Sequence, residues 1–154
     1  MEQRLSMIAL GVRDLQKSIA FYEDVIGWRA APGPPGIAFF DLNGLVFSLY
    51  PIDELAKDMG DDPPHGDELV SQGFALAHNA RGRDDVDAIF ARLRSNGVNI
   101  VKDPEEAFWG GYSGYFSDPD GHRWEIAYNP FWPIDDDGRI DMAAGGTDGE
   151  GQQQ

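Results

Sequence analysis

Gly110–Asn129 reads GGYSGYFSDPDGHRWEIAYN, and the order of its residues governs how the rest of the chain is read. Tyr112–Phe116 is aromatic-rich and of strand character. Asp118-Pro119-Asp120-Gly121 then supplies turn chemistry, with Asp first, Pro with its preset φ second and Gly fourth. Arg123–Tyr128 resumes a strand, so the pair predicts an antiparallel hairpin. On that second strand Arg123, Glu125 and Ala127 share one face, and Trp124, Ile126 and Tyr128 the other. A carboxylate between Trp and Ile is costly to bury without a partner or a ligand. Glu125 is therefore the first candidate functional residue. A structural ion pair with Arg123, Arg4 or Arg29 is the alternative.

Outward from this hairpin, one order of elements occurs twice. Ser6–Val12 alternates as a strand, and Leu15–Ile26 carries Leu15, Ile19, Tyr22 and Ile26 at helical spacing before Gly27, a natural C-cap. Trp28–Ala31, Gly36–Leu42 and Leu45–Tyr50 read as strands, the last two joined through Asn43-Gly44. Downstream, Gly73–Asn79 is a strand and Asp84–Ser95 a helix that turns Val86, Ile89, Phe90 and Leu93 inward. Asp84 or Asp85 is expected to cap this helix and Gly97 to stop it. Val98–Val101, Tyr112–Ser117 and His122–Tyr128 complete the second set. Each half thus reads β-α-β-β-β, the first over residues 1–51 and the second over 73–133. Between them lies an acidic linker, 52–72, with a short helix expected at Asp53–Met59. After Phe131, Trp132 and Pro133, which are expected to pin the last strand, the acidic stretch 134–154 has little to bury and is expected to be disordered or loosely attached.

Composition narrows the function classes. The 154 residues are 42% apolar, with nine Phe, five Tyr and four Trp, enough for one packed domain or two small halves. Absence of cysteine excludes disulfides, thiolate nucleophiles and thiolate zinc sites. No apolar run is long enough to span a membrane, and the N-terminal MEQRLSMIAL lacks a signal-peptide pattern, so a cytoplasmic protein is expected. Of the net charge of −15, residues 53–68 carry −6 and those from 135 onward −5. The acid excess sits in the linker and the tail, which favours solubility and excludes a nucleic-acid partner. Adaptation to high salt is an alternative cause.

A repeated βαβββ pattern ending in DPDG-x-x-WE resembles the vicinal oxygen chelate superfamily, which includes glyoxalase I, bleomycin-resistance proteins and extradiol dioxygenases. The likeness rests on Leu10-Gly11-Val12-Arg13-Asp14-Leu15, Ser18-Ile19-Ala20-Phe21-Tyr22 and Gly110–Glu125, and with the repeat it spans residues 5–133. It implies an α+β fold in which two βαβββ modules form a curved mixed sheet around a cup-shaped cavity. It also implies a homodimer. Fold likeness alone does not fix the chemistry, since one scaffold hosts many reactions.

The resemblance further implies a divalent metal (Zn, Ni, Fe or Mn) held by side chains of the first and last strands of the modules. Where such proteins often carry His in the first strand, this chain has Met7, and the corresponding position in the second module reads as Gly73. Phe47, Ser48 and Leu49 add no carboxylate, so Glu125 alone matches a family-type ligand. A thioether and a glycine are poor partners for such an ion, and no cofactor is expected. His78 shares a strand face with Phe74 and Leu76 and reads as structural. His65 falls in the acidic linker, and His122 opposes Glu125 by strand parity.

The face of Met7, Ala9 and Gly11, and the equivalent face of Gly73, Ala75 and Ala77, mostly small, instead predict room on the concave side. The expected pocket comprises Met7, Ala9, Gly11, Gly73 and Ala75 with Phe39, Phe47, Trp109, Tyr112, Tyr115 and Glu125. The alternative is that Phe39, Phe47, Trp109 and Tyr115 fill the space. Two functions follow. The first is metal-independent binding of a small hydrophobic or aromatic molecule. The second is a glyoxalase-like lyase, isomerase or dioxygenase using Glu125 with an unrecognised ligand.

Overall fold

Alternating apolar residues and a few well-placed glycines build two separate sheets. The computed structural model describes residues 1–62, 64 and 73–142. It divides into one unit of Met1–Phe74 with Ser117–His122 and another of Ala75–Phe116 with Arg123–Gln154. His65 lies outside the described residues.

In the first unit β1 (Met7–Val12) is followed by helix α1 (Leu15–Ala20), which Asp14 caps by accepting from the Lys17 amide. The helix widens into a π-helical stretch, Phe21–Ile26, that ends at Gly27 with φ 92°. Strands β2 (Ala38–Leu42) and β3 (Leu45–Pro51) form the hairpin, and positive φ at both Asn43 and Gly44 matches a primed turn. The sheet order is β1-β3-β2, with β1 parallel and β2 antiparallel to β3. Helix α2 (Ile52–Met59) follows as the linker sequence predicts.

Trp28–Ala31 does not form the expected strand; only Ala31 bridges to Phe39. The Trp28 amide instead donates to the Tyr22 carbonyl at the helix end, and Pro32, Pro34 and Pro35 have no N–H to give a ladder. Trp28 stacks on Tyr22 with ring centroids 5.5 Å apart, and Phe47 packs edge-on at 5.5 Å. With Phe40 these rings form the core between α1 and the sheet, each contributing roughly 2 kcal/mol by burial. Phe47, expected in a pocket, is therefore a core residue. Its register with Ile8 and Phe40 puts it on the helix-facing side of the sheet.

The second unit has β4 (Leu76–Asn79), α3 (Arg83–Ser95), β5 (Asn99–Glu106), β6 (Tyr112–Ser117) and β7 (Arg123–Tyr128) in the order β4-β7-β6-β5. Gly82, not Asp84 or Asp85, caps α3; the two acids lie in its first turn, where they favour the positive end of the helix dipole. Val86, Phe90 and Leu93 are buried. Gly114 admits α3, because a Cβ there would lie 2.7 Å from Phe90 and 2.8 Å from the Pro104 nitrogen. The stretch after Pro133 is not loose throughout: Ile134 bridges Ile140, and Arg81 donates to the carbonyls of Ile134 and Asp135. Residues 143–154 lie outside the described set.

Candidate functional site

The DPDG turn carries two of the three acids in the hairpin, and both belong to the first unit. The Gly121 amide donates to the Asp118 carbonyl at 3.1 Å, closing the turn. Asp118 also accepts from the amides of Asp120 and His122, from the Tyr22 hydroxyl at 2.9 Å, and lies 2.8 Å from His122 Nδ1. Asp120 accepts from the Arg13 amide at 2.8 Å and the Ser18 hydroxyl at 2.7 Å. Asp118, Asp120, His122 and Ser18 are all buried. A carboxylate offers about four lone-pair sites, and those of Asp118 are occupied. This cluster ties the turn to α1 and leaves Asp118 no acceptor for a ligand.

Glu125 differs in every respect. On β7 it pairs with Ala77 of β4, and Ala127 pairs with Asn79. These four residues, with Tyr115, Trp109, Asn129, Phe131 and Trp132, line an open hollow of about 490 Å³ in the second unit. The Tyr115 hydroxyl lies near the Glu125 carboxylate, and burial, then the polar interaction with Glu125 and that carboxylate's charge, push the Tyr115 pKa up from its ordinary value. The phenol is thus no base at neutral pH.

Two glycines place the hollow's rings. A Cβ at Gly111 would overlap the Trp109 indole, and one at Gly110, where φ is 90°, would meet the Phe131 ring at 3.6 Å. Asn129 Oδ1 accepts from the Phe131 amide at 2.9 Å, which fixes the chain at the same wall. No Lys, Arg or His is among the hollow's described lining. Arg4, one proposed ion-pair partner of Glu125, pairs with Glu2 instead.

The structure thus brings together three of the expected pocket residues: Trp109, Tyr115 and Glu125. Tyr112 lies on the opposite face of β6, where its hydroxyl donates to Asp87 at 2.8 Å and the Arg83 guanidinium sits 5.4 Å from its ring centre. Strand parity requires this, since residues three apart face opposite sides. Gly73 and Ala75 are exposed and precede β4; Gly73, at φ 89°, breaks the strand. The residue beside Glu125 is therefore Ala77. At Gly11 there is no room either, because a Cβ would overlap Ile52 of α2. Met7 is exposed, while Ala9 and Phe39 are half-buried on one face of the first sheet, across Ser48 of β3.

His78 shares its surroundings with Ala88 and Ile89 of α3, as its strand face predicts. Asn79 and Asn129 were not legible as site residues. Ala77 carried a signal, its place with Gly73 and Ala75 on the small-residue face, and so did Ala127, by its parity with Glu125.

A divalent ion fits this donor set poorly. Glu125 is the one carboxylate in the described lining, and the described residues contain no group of three His, Cys, Asp or Glu able to hold a metal. Protein metal sites of this kind use three or four ligands.

Residues 4–126 match the model of the glyoxalase/bleomycin resistance protein/dioxygenase superfamily, and the chain belongs to that family. It is similar to a metallothiol transferase FosB of Lysinibacillus sphaericus, 31% identical over 80% of this chain and 81% of that one. A lactoylglutathione lyase of Haemophilus influenzae is 30% identical over 78% of this chain and 88% of its own. Among solved structures, a glyoxalase-related enzyme from Fulvimarina pelagi is 36% identical and superimposes with a TM-score of 0.81, covering 91% of this chain and 98% of that one. The name metallothiol transferase weighs against the expectation that no cofactor is needed. No helix among the described residues is long and apolar enough to cross a membrane.

Proposed function

We propose that this protein binds a small hydrophobic or aromatic molecule in the Glu125 hollow, without a divalent metal held at that carboxylate. The observation that carries the reading is the lining itself: aromatic rings around one carboxylate, with alanines at the two strand positions nearest to it. A hollow of about 490 Å³ lies within the range of small-molecule sites, which are mostly apolar with a few polar groups that set orientation. Glu125 lies beside Tyr115, and a carboxylate's lone pairs can orient a donor on the ligand. The protein is expected to act as a cytoplasmic homodimer, which light scattering on purified protein tests.

The relatives named as a metallothiol transferase and a lyase favour a second reading, a metal-dependent enzyme using Glu125. One pair of measurements separates the two. Protein purified without chelator is analysed for Mn, Fe, Ni and Zn, and chelator-treated protein is titrated with naphthalene derivatives while tryptophan fluorescence is followed. Binding without metal, blunted by Trp109→Ala, supports the first reading. One equivalent of metal, lost in Glu125→Gln, sinks it in favour of the second.

A further inference from the structure

The geometry points to an organic cation as the ligand class: a flat aromatic or polycyclic molecule bearing an ammonium or other positive nitrogen, with its charge beside Glu125 and its rings against Trp109, Phe131 and Trp132. This inference rests on the binding reading above and adds the sign of the ligand's charge. Three observations on the hollow support it. Its described lining has one formally charged residue, Glu125, and no Lys, Arg or His that would receive an anionic ligand. Its lining includes two indoles and a phenyl ring, residue types whose ring faces attract a cation that has left water. The Trp109 and Phe131 walls are built rather than incidental, because Gly111 leaves the space the Trp109 indole occupies and the Asn129 side chain accepts from the Phe131 amide.

Charge beyond the hollow acts in the same direction. A net charge of −15 raises the local concentration of cations around the protein and repels anions.

Three probes on one ring system test the charge preference: (2-naphthylmethyl)trimethylammonium, 2-naphthylmethanol and 2-naphthoate. Their affinities are measured on full-length chelator-treated protein by tryptophan quenching and calorimetry. The cation is expected to bind about tenfold tighter than the alcohol, with the carboxylate weakest. Glu125→Gln is expected to bring the cation to within about twofold of the alcohol. Asp84→Asn, which removes an exposed acid on α3, is the control for overall charge and is expected to keep the preference.

If the alcohol binds as tightly as the cation, or Glu125→Gln keeps the preference, the charge assignment is overturned and the binding reading stands. An equal loss in Asp84→Asn also overturns it, by assigning the preference to the whole surface. If none of the probes binds the wild type, both readings fall together.

Discussion

Asp118 and Glu125 lie on one hairpin, seven positions apart, and do opposite things. Asp118 is buried and saturated by Tyr22, His122 and two backbone amides. Glu125 is half-buried, lies beside Tyr115 and lines a hollow of about 490 Å³. The first carboxylate is a structural fastener, and the second has acceptor capacity left for a ligand. What separates them is the number of donors each meets, since both are acids in or beside the same turn.

The sharpest way to break this comparison is Asp118→Ala. Its removal strands the Tyr22 hydroxyl and His122 in a buried site and should cost about 3–5 kcal/mol, measured by urea unfolding. A loss below about 1 kcal/mol would show that Asp118 is not the fastener described.

Glu125→Gln should do the reverse. The substitution is nearly isosteric at a half-buried position, so stability should change by less than about 1 kcal/mol, while the tryptophan response to a cationic ring falls. A collapse of stability comparable to that of Asp118→Ala would place Glu125 in the structural class as well.

The smallest effect lies at alkaline pH. A Tyr115 pKa raised above its unfolded value contributes stability that is fully present below the ordinary tyrosine pKa of about 10 and is lost as pH rises through the folded value. Spectrophotometric titration of the tyrosines should show late components from Tyr50, Tyr112 and Tyr115, of which that of Tyr115 moves toward the ordinary value in Glu125→Gln. Tyr115→Phe should remove that part of the alkaline loss of stability.

Legibility followed the range of each interaction. The DPDG turn, the Asn43-Gly44 hairpin, the Gly27 helix stop and α2 were readable because each depends on a few adjacent residues. Parity on β7 put Glu125 and Ala127 on one face, and the same rule applied to β6 excludes Tyr112 from the side of Tyr115. Gly11 and Gly73 misled because a small residue marks either space or a close approach. Ile52 fills the first, and the second lies before its strand begins. Phe47 misled because its sheet face depends on pairing with β1 and β2.

From the sequence alone came two βα units of mixed class, the tight turn, and a lone acid on an apolar strand. Which of the hairpin's acids is sealed and which is open was decided only in three dimensions. Tyr22 and Ser18 reach Asp118 and Asp120 across separations of 96 and 102 residues, and Ala77 reaches Glu125 through the register of a parallel pair. Hydrogen-bond saturation and solvent access belong to the set of groups surrounding an atom, and that set is assembled by distant parts of the chain.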